Sequence, residues 1–278
     1  MFPTLTFSCV LLLGGVPVVD SICLQAAPVS KDAKWTRSPK HTQAVVLIHG
    51  FHYHVLNSSV PKAELRHWQK PDSTIVKALA KNADVFVFAY GQNVPLDVVV
   101  KDSKLGISVT QLQKLGYSDI TLVGHSAGGL IARHFVEDHP DVGVTKVIQV
   151  CSPNGGSSLA SLTAPKSQKQ FMDCLTIPNR LKCLETRADK FIPDQVQFVC
   201  VVARMDPKSK TDGVVQCANQ WTADLQKQGV PAICVTGSHR DVVREAKLVE
   251  TLATLIRDKQ DRWPPQRINE AKKEIFGK

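Results

Sequence analysis

The sequence predicts an α/β fold, a mostly parallel central sheet with helices on both faces, and three observations carry that prediction. Short apolar, β-branched runs recur along the 278 residues and alternate with stretches of helical spacing. Several of the runs, such as residues 44–51 and 85–90, have no polar face, which suits strands in the interior of a parallel sheet. One run, residues 119–123, passes through a glycine-flanked serine directly into a helical pattern. With 43% hydrophobic residues the chain can bury one sizeable core, and its length leaves little for a second full domain.

Taken in order, residues 1–19 are mostly apolar but broken by Gly14, Gly15 and Pro17, too short for a spanning helix. They resemble the apolar region of a signal peptide, although no Lys or Arg precedes them, with small-residue exits after Cys23 or Ala27. The expectation is therefore a leader over residues 1–27 and an exported protein, then an exposed lead-in over residues 28–43 carrying Lys31, Lys34, Arg37 and Lys40. The main domain is expected over residues 44–258. Its first strand stops at His49-Gly50, where glycine lets the chain turn off the carboxyl edge of the sheet. Helical material follows over residues 57–80, a strand over 85–90, and mostly helix over 94–115. After the serine, Leu130, Ile131, His134 and Phe135 lie at helical spacing, and residues 144–150 form the next strand.

Residues 158–194 hold no long apolar run, only scattered residues such as Phe171, Leu175 and Leu184 on a polar background, and read as a small helical lid insertion. Strands resume at residues 197–203 and 232–236. A closing helix over residues 241–257 has an apolar stripe that includes Val242, Val249, Leu252 and Ile256. Trp263-Pro-Pro breaks it and leaves residues 259–278 as a charged tail.

The net charge of +9 is spread among acids and forms no basic stripe with a reader motif, which argues against nucleic acid as partner. If the leader is removed, six cysteines remain, an even number that suits an oxidising compartment, with Cys174 and Cys183 the pair best placed to bridge. Cys151, Cys200 and Cys234 sit in or at the end of apolar runs and read as small buried hydrophobes. No spacing resembles a zinc ligand set, so neither a metal nor another cofactor is expected. The oligomeric state is open.

The chemistry points to Ser126. Gly124-His125-Ser126-Ala127-Gly128 fits the G-x-S-x-G strand-turn-helix elbow, in which small neighbours clear the incoming strand and outgoing helix. A serine hydroxyl is a poor nucleophile near neutral pH unless a base lies in reach and a third group orients that base. Of nine histidines, His239 follows the last strand in Thr236-Gly-Ser-His-Arg240, where a loop can carry its imidazole over Ser126. Two carboxylates follow the penultimate strand and precede that histidine. Asp212 opens Asp212-Gly-Val-Val-Gln216, a held position on a glycine turn, and is preferred to Asp206, which adjoins Pro207 and Lys208 like an exposed turn. The amides of Ala127 and Phe51 are the candidate oxyanion donors.

These motifs resemble the α/β-hydrolases of the serine lipase and esterase kind over residues 44–257. Gly-His-Ser-x-Gly-Gly is the usual elbow of that family, and Asp-Gly-Val-Val a usual setting for its acid. Residues 152–160 are similar to the segment after the elbow in triacylglycerol lipases, which commonly have His where this chain has Asn154. The resemblance implies an α/β-hydrolase fold, no cofactor, and cleavage of a small-molecule or lipid ester through Ser126, Asp212 and His239. Thioesterase, amidase or peptidase action on the same residues is a rival, as is a binding protein without turnover. Trp35, Phe51, Tyr53 and Trp68, if exposed, would mark transient contact with a lipid surface.

Overall fold

The computed structural model describes residues 19–29, 34–53, 62–162 and 164–277. Seven strands form one sheet: β1 (Ser21–Ala27), β2 (Gln43–Ile48), β3 (Asp84–Tyr90), β4 (Asp119–His125), β5 (Lys146–Val150), β6 (Gln197–Arg204) and β7 (Ala232–Thr236). Their order across the sheet is β1-β3-β2-β4-β5-β6-β7, with β1 antiparallel to β3 and every other pair parallel. Each of the six parallel strands coincides with an apolar run legible in the sequence, give or take three residues.

The helices are α1 (Thr74–Leu79), α2 (Leu96–Asp102), α3 (Leu105–Lys114), α4 (Ala127–Asp138), α5 (Lys169–Asp173), α6 (Ile177–Thr186), α7 (Cys217–Gln220), α8 (Ala223–Lys227), α9 (Ala246–Arg257) and α10 (Pro265–Phe276). Successive side chains of a strand point to opposite faces, so the sheet feeds two cores. Val46 and Ile48 pack with α2, α3, α4 and α10 on one face, and Val45 and Leu47 pack with α1 and α9 on the other. Helix α4 is buried over almost its whole length, consistent with its place beneath the centre of the sheet. Each fully covered Leu, Ile or Phe there contributes roughly 1.5–3 kcal/mol.

Two ends of the chain differ from the sequence expectation. Ser21–Ala27, inside the expected leader, forms the edge strand β1, whose Ala26 is 3% exposed; residues 1–18 lie outside the described residues. At the other end, the expected charged tail contains α10. Pro265 occupies its first position, where a missing N–H costs nothing, and Ile268, Ala271 and Ile275 at helical spacing are buried. The proline pair therefore ends one segment and starts another.

Within the stretch expected as a lid, residues 158–161 and 166–168 form 3-10 turns and α5 and α6 follow, and the stretch is tied to the body. Arg180 is 1% exposed and its Nε donates to the Asn154 carbonyl across 3.1 Å, while Arg187 pairs with Glu137 at 2.8 Å and with Asp138 at 3.1 Å. The closing helix begins five residues later than expected, because residues 241–243 form a short 3-10 turn instead. Among the described residues no helix is long and apolar enough to cross a membrane.

The topology also fixes where a site can form. From β2 the chain moves to β3 on one side and then to β4 on the other, and such a reversal opens a crevice at the carboxyl ends of the strands. Ile48 is in register with Gly124, and His125 with Val150, so the turns after β2, β4 and β5 meet at that crevice.

Candidate active site

Ser126 stands between β4 and α4 with φ 55°, in the left-handed region that a non-glycine residue adopts at a cost. The backbone there is held from both sides: Ser126 N–H donates to the Val150 carbonyl across 2.8 Å, and Gly129 N–H donates to the Ser126 carbonyl across 3.0 Å. A Cβ on Gly124 would overlap Gly128 O and Gly129 Cα, so the strand can meet the helix this closely only without a side chain. Ala127 is the first residue of α4, and its N–H has no intrahelical partner. Phe51 lines the same cavity as Ser126.

The structure brings Asp212 and His239 together. His239 Nδ1 lies 2.7 Å from Asp212 Oδ2, and the His239 N–H donates to the Asp212 carbonyl across 2.9 Å, so side chain and backbone both join the two loops. A proton on Nδ1 directed at the carboxylate leaves Nε2 as the basic nitrogen. The other oxygen of Asp212 accepts the N–H groups of Val214 at 2.8 Å and Val215 at 2.7 Å, and Gly213 takes φ 92° to make that turn. Asp212 is 1% exposed. Asp206, the other candidate acid, caps an exposed turn by accepting from Lys208 N–H and Ser209 N–H. His239 and Ser126, each 8% exposed, line one cavity of about 840 Å³, within the usual size range of small-ligand pockets.

Several groups at the site were not found by sequence reasoning. His125, set aside as the variable position of the elbow, is buried, and its Nε2 donates to the His239 carbonyl across 2.7 Å; its ring centroid is 4.8 Å from that of His239. Burial, and next the adjacent His239, push its pKa down to about 3, so it is held neutral. The turn carrying Phe51 is braced as well. The Gly50 carbonyl accepts from His49 Nδ1 at 2.7 Å and from Gln92 Nε2 at 3.0 Å, and Gln92 Oε1 accepts the His52 N–H at 2.9 Å. Gln168 Nε2, from the helical insertion, donates to the His52 carbonyl across 2.7 Å. Nothing in the residue types announces these partners, because each contact involves a backbone atom and, except for His49 with Gly50, spans 40 residues or more.

Cys151 follows β5 with φ 54° and is fully buried, its thiol beside the Asp212 carboxylate. Burial, reinforced by that carboxylate, raises the thiol well above its ordinary pKa. Cys151, Asp212 and His239 offer ligand atoms within 4.8 Å of one another, a cluster that chain spacing could not reveal. The His239 and Asp212 atoms are hydrogen bonded across 2.7 Å, shorter than the separation of about 3.3 Å between two ligand atoms around a tetrahedral zinc. The cluster is therefore suited to positioning a proton. The seven described cysteines, Cys174 and Cys183 included, are free thiols.

Asn154 lies away from the cavity in a buried polar network. Its Nδ2 donates to Gln149 Oε1 at 2.9 Å and to the Gln220 carbonyl at 2.7 Å, and its Oδ1 accepts from Arg133 at 3.2 Å. The departure at this position from the lipase pattern thus falls on a structural site behind the sheet edge.

A family described as "Domain of unknown function (DUF7379)" matches residues 24–220. No curated protein matches the chain. Among solved structures the chain is similar to the mature lipase BlEst2 of Bacillus licheniformis, with a TM-score of 0.61 and 13% identity over 85% of this chain and 97% of that one. It is similar also to the phospholipase PlaB of Legionella pneumophila, with a TM-score of 0.57 and 13% identity over 84% of this chain and 63% of that one. Aspergillus fumigatus lipase B gives a TM-score of 0.55 and 12% identity over 90% of this chain and 65% of that one. At such identities the likeness shows the fold alone, the α/β-hydrolase fold these structures share.

Proposed function

The chain belongs to the family described as a domain of unknown function (DUF7379) and has the α/β-hydrolase fold, and from that premise we propose that it is a serine hydrolase of carboxylic esters. The observation that carries the reading is the bond of 2.7 Å between Asp212 and His239 at the wall of the cavity that holds Ser126 on its elbow. Ser126 Oγ attacks the ester carbonyl while His239 Nε2 takes the hydroxyl proton, and the oxyanion that forms is held by the N–H groups of Ala127 and Phe51. The bond to the alcohol then breaks, His239 gives it the proton, and an acyl group remains on Ser126. Water, deprotonated by His239, attacks that acyl group and frees the acid and the serine. Asp212 keeps the imidazole in the tautomer that accepts at Nε2 and stabilises the imidazolium. No cofactor takes part in these steps.

The test is hydrolysis of p-nitrophenyl esters from acetate to palmitate, with labelling by a fluorophosphonate. Ser126→Ala and Asp212→Ala are expected to lose most of the rate and Asp206→Ala to keep it. A folded wild type that turns over no ester and takes no label would refute the reading.

A further inference from the structure

The cavity is chemically two-sided. Leu159, Leu162 and Met172, from the helical insertion, line it together with Phe51 and Val214, and Leu162 is 64% exposed for so large an apolar side chain. Elsewhere the wall carries four cations, Arg66, Lys70, Arg240 and Arg244, beside Trp68 and Val243, and among the described residues Glu64 is the one carboxylate that lines it. Arg240 directly follows His239 in the chain, and the charge of Arg244 is felt at His125, whose ring neighbours that of His239. Arg240 and Arg244 therefore lie on the His239 side of the cavity, and Arg66 and Lys70 line the same cavity.

Lys70, Arg240 and Arg244 are exposed, and among the described residues the only nearby carboxylate that feels the charge of Arg244 is Asp241. Among the described residues Lys70, Arg240 and Arg244 form no ion pair. Arg66 reaches the Glu64 carboxylate only at 3.6 Å and donates from Nη2 to the Glu64 carbonyl across 3.4 Å, while its Nε is buried with no hydrogen-bond partner and its side chain is 17% exposed. A buried donor without a partner is costly, and a guanidinium fork in that state matches a phosphate or carboxylate oxygen pair. The apolar insertion side, in contrast, offers a channel for an acyl chain.

Resting on the ester-hydrolase reading, we propose that the substrate is an anionic amphiphile, an acyl ester whose alcohol half carries a phosphate-like group read by Arg66 together with Arg240 and Arg244. The acyl chain lies along Leu159, Leu162 and Met172. A soluble phosphorylated ester and the headgroup of an anionic lipid share this chemistry.

The experiment compares octanoylglycerol phosphate with octanoylglycerol, which present the same acyl ester and differ in the phosphate, both as monomers below their critical micelle concentrations. The expected kcat/KM is about tenfold or more higher for the phosphorylated ester, carried mainly by KM and declining as salt is raised. Arg66→Gln and the double variant Arg240→Gln/Arg244→Gln should each lower the ratio between the two substrates several-fold, whereas damage to the fold would lower both rates and leave the ratio alone. Calorimetric binding of both compounds to Ser126→Ala gives the same comparison without turnover. Equal kcat/KM and equal binding for the two compounds, or a ratio untouched by the Arg variants, overturns the proposal while leaving ester hydrolysis intact. A preference that appears only when the ester is embedded in phosphatidylglycerol vesicles also overturns it, since the charge is then read at the lipid surface outside the cavity. If p-nitrophenyl esters and the fluorophosphonate fail as well, the hydrolase reading falls and this proposal with it.

Discussion

Gly50 lies against the candidate nucleophile: a Cβ built there would be 2.5 Å from Ser126 Cβ and 2.9 Å from the His125 carbonyl. Neither neighbour is the loose end of a flexible side chain, so Gly50→Ala must displace the elbow or the turn bearing Phe51. Small displacements of reacting groups are expensive, and kcat for a p-nitrophenyl ester should fall about a hundredfold. An unchanged kcat would show that the turn after β2 has no part in the chemistry. His125 gives a second prediction at this scale. Its bond to the His239 carbonyl anchors the loop that carries the proposed base, so His125→Ala should lower kcat more than it raises KM, with His125→Gln, which keeps a donor, recovering part of the loss. Equal kinetics for the Ala and Gln variants would remove the anchoring role. The strand-to-helix turn at Ser126 and the pairing of Asp212 with His239 were legible because each of the three residues lies after a strand in a recognisable motif. His125, Gln92 and Gln168 were not, since they act on carbonyl groups and backbone amides, which carry no sequence signature.

At the scale of elements, β2 to β6 could be read directly, because a strand buried on both faces leaves an unbroken apolar run, and β7, half-buried at the other edge, is still apolar over residues 232–235. The edge strand β1 could not: its burial is uneven, and the apolar residues before it draw the eye toward a leader. Its pairing with β3 from Ser21↔Tyr90 to Ala27↔Val85 has a measurable consequence. A chain beginning at Val29 would bare the edge of β3, so it should unfold at lower temperature than one beginning at Val19 and should tend to aggregate. Equal melting temperatures would mean that β1 is dispensable. Helix α10 was hidden for the opposite reason, because its polar surface and the preceding prolines look like a solvated tail. Ile268 and Ile275 are 6% and 3% exposed, and replacing either with Ala should cost about 2–4 kcal/mol in urea denaturation, whereas a loose tail would show no change.

For the molecule as a whole, the buried histidines of the elbow set the direction of its pH dependence. His125, at the end of β4, is held neutral down to about pH 3, and His134 on α4 is also pushed well below its ordinary value, by burial first and then by Arg180, Arg187 and Arg133. In the unfolded chain both would protonate near pH 6.5. Between that pH and about 3 the unfolded state binds more protons than the folded one, so stability is complete above pH 6.5 and declines as the solution is acidified. His125 alone should remove roughly 2 kcal/mol between pH 7 and pH 5. Urea midpoints of the wild type and of His125→Gln at the two pH values check this. The wild type should lose more stability on acidification than the variant, and equal losses would show that His125 does not supply the proton site. Both histidines sit on the strand and helix that flank Ser126, so acid weakens the fold at the elements that hold Ser126 in its strained conformation.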